Sequence, residues 1–262
     1  MSQSVRMTKD RLASVKDGEP VRLNKYLSDA GICSRREADR LIGLGEVTVN
    51  GVLAHPGDKV DENGKDLVAV RGREVRPLSK KKTVAYYKPA GVTCTASDPH
   101  AKVTLSDAFH YPVRLSYAGR LDRDSEGLLL MTNDGALIEA MMRGSNGHEK
   151  EDIVRTEHRM SDADLARMRA GIFLKELGVK TRPAKVERLG DKTFSIVLTE
   201  GLNREIRRMV KTCGGNEVRR LKRVRVLNIA LGDMKPGQIR ELSEDELGEL
   251  YREAGLSGRS RR

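Results

Sequence analysis

The chain has 262 residues, and its 49 Lys and Arg against 38 Asp and Glu give a formal net charge of +11 at pH 7. This excess favours a polyanionic partner, because neutralising phosphates releases condensed counterions. The three cysteines form no C-x-x-C pair, which argues against a zinc site and is typical of reduced thiols in a cytoplasm. No apolar run approaches the roughly 20 residues of a membrane-spanning helix, and the charged N-terminus does not resemble a signal peptide. Composition therefore predicts a cytoplasmic protein without a membrane partner.

The first part of the chain predicts a flexible arm followed by a small domain of two helices and a short sheet. Residues 1–20 are polar and have no sustained period, as in a mobile terminus. The apolar spacing predicts a helix over Arg22–Ala30, and Ser34 begins the capping-box pattern of a second helix. The dipeptide Asn50-Gly51 then predicts a tight hairpin turn between two short strands.

Basic side chains project outward from these two helices and follow the pattern of an RNA contact: Lys25, Arg35, Arg36 and Arg40. An ordinary solvated helix face is the alternative interpretation. The segment LNKYLSDAGICSRREADRLIGLGEVTVNG resembles the S4-type RNA-binding domain, first described in a ribosomal protein. The resemblance implies that residues 21–70 form a small helical and β-stranded domain that binds structured RNA by its shape.

The remaining sequence predicts a linker, a larger domain and a tail. Residues 71–82 (RGREVRPLSKKK) read as a basic linker, residues 83–250 as the larger domain and residues 251–262 as a basic tail. In the larger domain, strand and helix patterns alternate without the regular crossover spacing of a doubly wound sheet. We therefore expect an α+β fold, in which the small domain precedes a mixed, mostly antiparallel sheet with flanking helices.

Asp122 lies in a loop where a carboxylate is well placed for chemistry. The loop belongs to the segment AGRLDRDSEGLLLMTNDG and runs directly into an apolar strand. Arg120 and Arg123 flank the aspartate, and neighbouring guanidinium groups favour the ionised form that a nucleophile or general base requires. An aspartate in a turn is more often structural than catalytic, so the residues alone leave both interpretations open.

A second candidate is the basic segment that begins with GLNREIRRM. Nine Lys or Arg residues and two acids lie between Gly201 and Arg225. The apolar residues of this segment are spaced to pack inward, which leaves basic side chains free to contact RNA or an anionic site: Arg204, Arg207 and Arg208. Arginine suits this task because its planar donors clamp phosphate or carboxylate with two bonds. A solvated basic helix is the alternative.

Together these motifs resemble the pseudouridine synthases that modify ribosomal RNA, in the branch that carries an S4-type domain. The segment AGRLDRDSEGLLLMTNDG is the most specific part, and KPAGVTCT, NGHEKE and GLNREIRRM occur in the expected order. The similarity is greatest to enzymes of the RluF type, which act on large-subunit RNA. The resemblance implies that Asp122 is the nucleophile, that Arg207 is its ion-pair partner and that Arg120 helps to flip the target uridine. It also implies a reaction without a metal or organic cofactor.

The resemblance has one departure at a site residue. The family places a tyrosine that stacks on the uracil directly after HEKE, whereas this chain has Asp152. An aspartate cannot replace aromatic stacking, which contributes about 1–3 kcal/mol per base. If its carboxylate enters the pocket, it also opposes the ionisation of Asp122. Glu205, where similar enzymes carry glutamine, adds a further negative charge near Arg207. We hypothesise that the chain binds RNA but isomerises uridine slowly or not at all.

Three functions therefore stay open. The first is a synthase whose activity Asp152 impairs, and the second is an RNA-binding factor for ribosome assembly that has the same fold but little or no activity. The third is a nuclease with magnesium held by Asp122, Asp124 and Asp134, which the neighbouring arginines oppose. We expect a monomer, because no unexplained apolar helix face stands out. The expected partner is ribosomal RNA, with transfer RNA as a possible further substrate.

Overall fold

The structure is a computed structural model that describes residues 20–61, 65–76, 81–95 and 100–256. The chain divides into two units between Leu78 and Ser79. The predicted arm, apart from Pro20, and residues 257–262 of the predicted tail lie outside the described residues. None of the helices in the described ranges has the length and apolar character needed to cross a bilayer.

The first unit consists of two helices and short antiparallel strands. In chain order its described elements are β1 (Val21–Arg22), α1 (Leu23–Asp29), α2 (Arg35–Gly43), β2 (Val47–Val49), β3 (Val52–Leu53), β4 (Lys59–Val60), β5 (Val68–Val70) and β6 (Arg73–Val75). Strand β1 pairs with β4, and β3, β2, β5 and β6 form an antiparallel sheet in that order.

Local sequence signals set the boundaries of these elements. The Ser34 hydroxyl accepts the backbone N–H of Glu37 at 3.2 Å, so the predicted cap of the second helix is confirmed. Asn50 and Gly51 have φ values of 53° and 81° between β2 and β3, which confirms the predicted tight turn. Leu23 is among the side chains of α1 that pack with α2 and the sheet into one buried core.

The predicted linker over residues 71–82 begins too early. Strand β6 lies inside it, and Val75 is buried in the core of the first unit. The backbone carbonyl of Val75 also accepts the hydroxyl of Tyr26 at 3.2 Å. A single apolar residue in a basic segment gives no period, which is why the sequence pattern missed this strand.

The second unit is built on one large sheet with helices packed against it. In chain order its described elements are β7 (Thr83–Lys88), α3 (Leu105–Ala108), β8 (Ser116–Tyr117), β9 (Glu126–Thr132), α4 (Gly135–Met142), a 3₁₀ turn (Gly144–Asn146), β10 (Lys150–Thr156), α5 (Asp162–Ala170), β11 (Phe173–Leu174), β12 (Val179–Lys180), β13 (Lys185–Gly190), β14 (Thr193–Leu198), α6 (Glu205–Gly214), β15 (Val218–Val226), β16 (Ile229–Ala230), β17 (Ile239–Glu241) and α7 (Glu244–Glu253).

The sheet is mostly antiparallel, which confirms the predicted fold class. Its strand order is β13-β14-β10-β15-β9-β7-β17, and the pairing of β15 with β9 is parallel. One buried core joins β7 and β9 to α4 and α7, and a second joins β10 and β14 to α5 and α6. Strand β15 lies between β10 and β9, so it connects the parts of the sheet that carry the two cores.

The predicted end of the second unit was wrong. The domain continues beyond residue 250, because α7 runs to Glu253 and the ring of Tyr251 is buried against the core. The Tyr251 hydroxyl donates a hydrogen bond to the Asp134 carboxylate, so this part of the predicted tail belongs to the fold.

Candidate active site

The loop that carries Asp122 is fixed at both ends by the central sheet. It joins β8 to β9, and β9 begins beside β15. At Gly127, which has a φ of 107°, an added Cβ would lie 2.2 Å from the Arg223 carbonyl oxygen of β15. Only glycine tolerates this close approach of two backbones. The loop therefore leaves β9 at a defined position relative to β15.

The side chain of Lys88 fixes the same loop through hydrogen bonds to its backbone, although the sequence patterns did not indicate a role for this residue. Its side chain is fully buried, and its Nζ donates to the carbonyl oxygens of Pro89 at 2.8 Å, Val92 at 2.9 Å and Arg123 at 3.5 Å. The N–H of Gly91 also donates to the Arg123 carbonyl at 2.7 Å. Burial lowers the pKa of Lys88. The sequence feature that could have identified Lys88 is its position at the end of an apolar strand, directly before the turn residues Pro-Ala-Gly.

Asp122 lies next to Arg207, as the resemblance implies. The Arg207 Nε is 3.8 Å from an Asp122 carboxylate oxygen, and the rest of the guanidinium is held by the loop and the sheet. Its Nη1 donates to the Val218 carbonyl at 3.1 Å, and its Nη2 donates to the Asp124 carbonyl at 2.9 Å and to the Ser125 hydroxyl at 3.3 Å. Burial lowers the pKa of Arg207 and Arg204 adds to this shift, whereas the neighbouring carboxylates oppose it.

A pocket of about 440 Å³ opens beside Asp122. This volume is within the range of small-molecule sites. The Asp122 loop, the start of α6 and the central strands line it with many charged side chains, including Arg120, Asp122, Arg123, His148, Lys150, Arg204, Glu205, Arg207 and Arg223. No tyrosine, phenylalanine or tryptophan of the described ranges lines the pocket. Polar and ionic contacts therefore dominate what this pocket offers a ligand.

Asp152 is engaged by the sheet and does not line this pocket. Its side chain is 0% exposed, and one oxygen accepts from Nη2 of Arg223 at 3.1 Å. Its other oxygen has no hydrogen-bond partner among the described residues. The expected effect of Asp152 on Asp122 within the pocket finds no support here, because the charged partner that the structure gives Asp152 is Arg223.

Two more ionisable residues line the pocket, the half-buried Lys150 and the buried Glu205. The Lys150 Nζ donates to the His148 carbonyl at 3.1 Å, and burial lowers the pKa of this amine to about 8. One Glu205 oxygen accepts the Leu202 N–H at 3.0 Å, and burial raises the pKa of this carboxyl to about 7. Sequence analysis noted Glu205 only as a departure from the family, and it missed Lys150 and Arg223. All three come from separate elements, so no local pattern joins them.

The predicted RNA-binding arginines of the second unit have different surroundings. Arg120, Arg123 and Arg204 line the pocket, and Arg204 Nη1 lies 3.6 Å from an Asp124 oxygen. Arg208 lies outside the pocket, where it donates to the Asn203 carbonyl and forms an ion pair with the Glu176 carboxylate.

On the first unit, two of the four predicted RNA-binding side chains have an acidic neighbour. Lys25 pairs with Asp29 at 2.7 Å, and Arg40 pairs with Glu37 at 2.6 Å. The other two residues, Arg35 and Arg36, are exposed. The cluster is thus less free of acids than its sequence suggested. Exposed pairs of this kind are weak, however, and can exchange an acid for a phosphate.

The nuclease alternative is contradicted by the position of Asp134. Its carboxylate caps α4 by accepting the Ala136 N–H at 3.0 Å, and it also accepts from Lys81 Nζ at 3.0 Å. A third contact, from the hydroxyl of Tyr251, completes this buried network. Asp134 therefore has a structural role and does not line the pocket that contains Asp122.

Comparisons with known proteins agree with this architecture. The family model of RNA pseudouridylate synthase matches residues 82–212, and the S4 domain model matches residues 21–65. The dual-specificity RNA pseudouridine synthase RluF of Escherichia coli strain K12 is 40% identical over 234 residues, which cover 88% of this chain and 79% of that protein. The ribosomal large subunit pseudouridine synthase B of Haemophilus influenzae is 35% identical and covers 84% of this chain, with 64% of its own length matched.

A crystal structure of a pseudouridylate synthase is similar over most of this chain, with a TM-score of 0.64 and 26% identity over 88% of this chain and 99% of the other. The chain therefore belongs to the RNA pseudouridine synthase family, in the branch with an N-terminal S4 domain. The predicted class of enzyme, an isomerase that acts on RNA, is confirmed.

Proposed function

We propose that this synthase converts a specific uridine of large-subunit ribosomal RNA into pseudouridine, with Asp122 as its nucleophile. The observation that supports this role best is the position of Asp122 beside the half-buried Arg207, at the edge of a pocket of about 440 Å³. The Arg207 guanidinium fixes the position of the Asp122 carboxylate, and the Lys88 contacts keep the loop in place. The name of the Haemophilus influenzae enzyme supports an RNA of the large ribosomal subunit. The dual specificity in the name of the Escherichia coli enzyme supports a second RNA substrate, for which we propose transfer RNA.

The proposed reaction begins when the target nucleotide leaves the RNA stack, because the reacting atoms cannot be reached inside a helix. Arg120, Arg123 and Arg204 bind phosphates at the pocket rim, and the exposed basic residues of the S4 domain bind structured RNA. Asp122 bonds to the sugar as the bond between N1 and the sugar breaks. C5 of the uracil then bonds to the same sugar carbon and displaces Asp122. Uridine and pseudouridine are isomers, so the overall reaction consumes no oxidant or reductant.

The test is pseudouridine formation in unmodified transcripts of large-subunit RNA, small-subunit RNA and transfer RNA. The proposal expects product in large-subunit RNA for the unaltered chain and none for Asp122→Asn. The matched control is Asp124→Asn, since Asp124 lies in the same loop but does not line the pocket. Equal rates for Asp122→Asn and the unaltered chain would exclude Asp122 as the nucleophile, and product in small-subunit RNA alone would exclude the proposed substrate.

Asp152 favours a second candidate function, a role in ribosome assembly through RNA binding with little turnover. The stacking ring of the family is replaced by Asp152, whereas the basic residues proposed to bind RNA remain. Tight binding of an assembly intermediate without any product, in both the unaltered chain and the Asp122→Asn variant, would favour this function. In either case we propose that the protein works as a cytoplasmic monomer in ribosome biogenesis.

A further inference from the structure

Glu205 is a buried carboxyl group at the candidate active site that the proposed mechanism has not used. Its residue is 4% exposed, and it lines the pocket at the first position of α6. Only one of its oxygens is hydrogen-bonded, to the Leu202 N–H at 3.0 Å. The other oxygen is buried and accepts no N–H or O–H from the described residues, and the neighbouring Glu200 carboxylate can bond to Glu205 only through a shared proton. A buried acceptor without a partner is costly, so it marks a position where a ligand donor or a proton is expected.

The charged groups around Glu205 come from three other elements. Lys150 on β10 attracts its charge, and Glu200, in the loop after β14, repels it. Arg223 on β15 and Asp152 on β10 act on the same Lys150 amine, which Arg223 makes easier to deprotonate and Asp152 makes harder to deprotonate. Burial is the largest influence on Glu205, and it favours the protonated form. Glu205 is therefore able to gain and lose a proton near neutral pH.

The isomerisation needs a proton acceptor after the uracil has been reattached. At that stage C5 carries both its original hydrogen and the new bond to the sugar. The C5–H bond must break, its electron pair forms the C5–C6 double bond of the product, and N1 gains a proton. The atoms balance without any added reactant, but the step requires a base inside the pocket.

We propose that Glu205 is the catalytic base that removes the C5 proton. This inference rests on the proposed function and adds a second catalytic residue to it. When the base is required, C5 has already displaced Asp122 from the sugar, and the freed Asp122 carboxylate is paired with Arg207. Asp152 is held by Arg223 and does not line the pocket. Glu205 has an unpartnered oxygen at the pocket and a protonation equilibrium in the right range.

Glu205 also accepts a backbone N–H, so a purely structural role has to be separated from catalysis. Glu205→Gln serves this purpose, because the amide oxygen can still accept from Leu202 but the side chain cannot take up a proton. Glu205→Asp keeps a carboxylate and tests for partial rescue. Glu244→Gln is the control, because Glu244 is also the first residue of a helix, α7, and is exposed.

The experiment is a single-turnover measurement on large-subunit RNA whose uridines carry hydrogen or deuterium at C5, at several pH values. With the unaltered chain and Glu244→Gln, the rate rises with pH through about 7 and then levels off, because the ionised carboxylate is the active form. Similar enzymes carry glutamine here but keep the tyrosine that this chain replaces with Asp152, so this chain depends on the Glu205 carboxylate. Glu205→Gln should therefore lower the rate about 100-fold or more, remove this rise and increase the deuterium isotope effect, with RNA affinity unchanged. Glu205→Asp should recover part of the rate.

Product formation by Glu205→Gln at the unaltered rate, with an unchanged isotope effect, would overturn the assignment of Glu205 while the proposed synthase activity stands. A slower rate with an unchanged isotope effect and the same pH profile would also overturn it, since that result describes a structural role. Absence of product from the unaltered chain on every RNA would remove the proposed function, and the assignment of Glu205 with it.

Discussion

The buried ion pair between Asp152 and Arg223 allows a quantitative prediction about stability. Asp152 is 0% exposed, and the Arg223 side chain is 13% exposed and reaches the pocket. Removing one member of a buried pair costs about 3–5 kcal/mol, because the other charge stays buried without a partner. Arg223→Met leaves the fully buried carboxylate, whereas Asp152→Val leaves a guanidinium that can turn towards water in the pocket. We therefore expect Arg223→Met to lower the free energy of unfolding by about 5 kcal/mol and Asp152→Val to lower it by about 3 kcal/mol.

The double variant provides the control for this prediction. When both charges are replaced by apolar side chains of suitable shape, a buried pair is often lost at little or no cost. The double variant should therefore be more stable than Arg223→Met alone. Additive losses would mean that the two side chains are not coupled and that the 3.1 Å contact contributes little.

Urea unfolding at pH 7 measures these free energies. Tyrosine fluorescence is a suitable probe, since the chain has no tryptophan and Tyr26 is the sole tyrosine of the first unit, the other five being in the second. A loss of about 4 kcal/mol lowers the urea midpoint by roughly 2 M when the denaturant slope is about 2 kcal/mol per M. A loss below about 1 kcal/mol for Arg223→Met would refute the reasoning, because no buried charge could then have been left unpaired.

The remaining predictions concern activity on RNA. Asp152→Tyr should raise the single-turnover rate about tenfold, since stacking contributes about 1–3 kcal/mol. It should also lower the urea midpoint, because Arg223 loses its partner. An unchanged rate would contradict the stacking argument. Lys88→Met should lower the rate about 100-fold, because the Asp122 loop loses its support, while a filter-binding assay should show unchanged RNA affinity. Lost affinity would instead indicate that Lys88 has a role in RNA binding. Arg207→Lys should lower the rate roughly 10- to 100-fold, because a lysine amine cannot make all the hydrogen bonds of the Arg207 guanidinium. A rate within threefold of that of the unaltered chain would argue against a role for the ion pair.

Sequence reasoning succeeded where a short segment carries its own physical cause. The Ser34 cap, the Asn50-Gly51 turn and the loop that presents Asp122 all depend on residues close together in the chain. It failed where the cause lies in a distant partner. Val75 is a single apolar residue whose burial depends on the first unit's core, and no local period reveals it.

The charged residues of the pocket also depend on partners that are distant in the sequence. Lys150 and Arg223 are ordinary basic residues in the sequence, and they become neighbours because β10 and β15 pair in the sheet. The pKa of Lys150 responds to this pairing, since burial and the Arg223 charge both lower it. Local patterns cannot supply such contacts, because strand pairing sets them after the chain has folded.

The two departures from the family pattern have a common electrostatic setting. Asp152 and Glu205 lie far apart in the chain, yet both carboxyl groups act on the Lys150 amine. Asp152 is neutralised by Arg223, which leaves Lys150 to favour the ionised form of Glu205. A tyrosine at position 152 would bring no such charge, so the two acids are expected to be coupled. If they are, Asp152→Tyr combined with Glu205→Gln should give a single-turnover rate that the two separate changes do not predict by multiplication. Rates that multiply would mean that each acid acts alone.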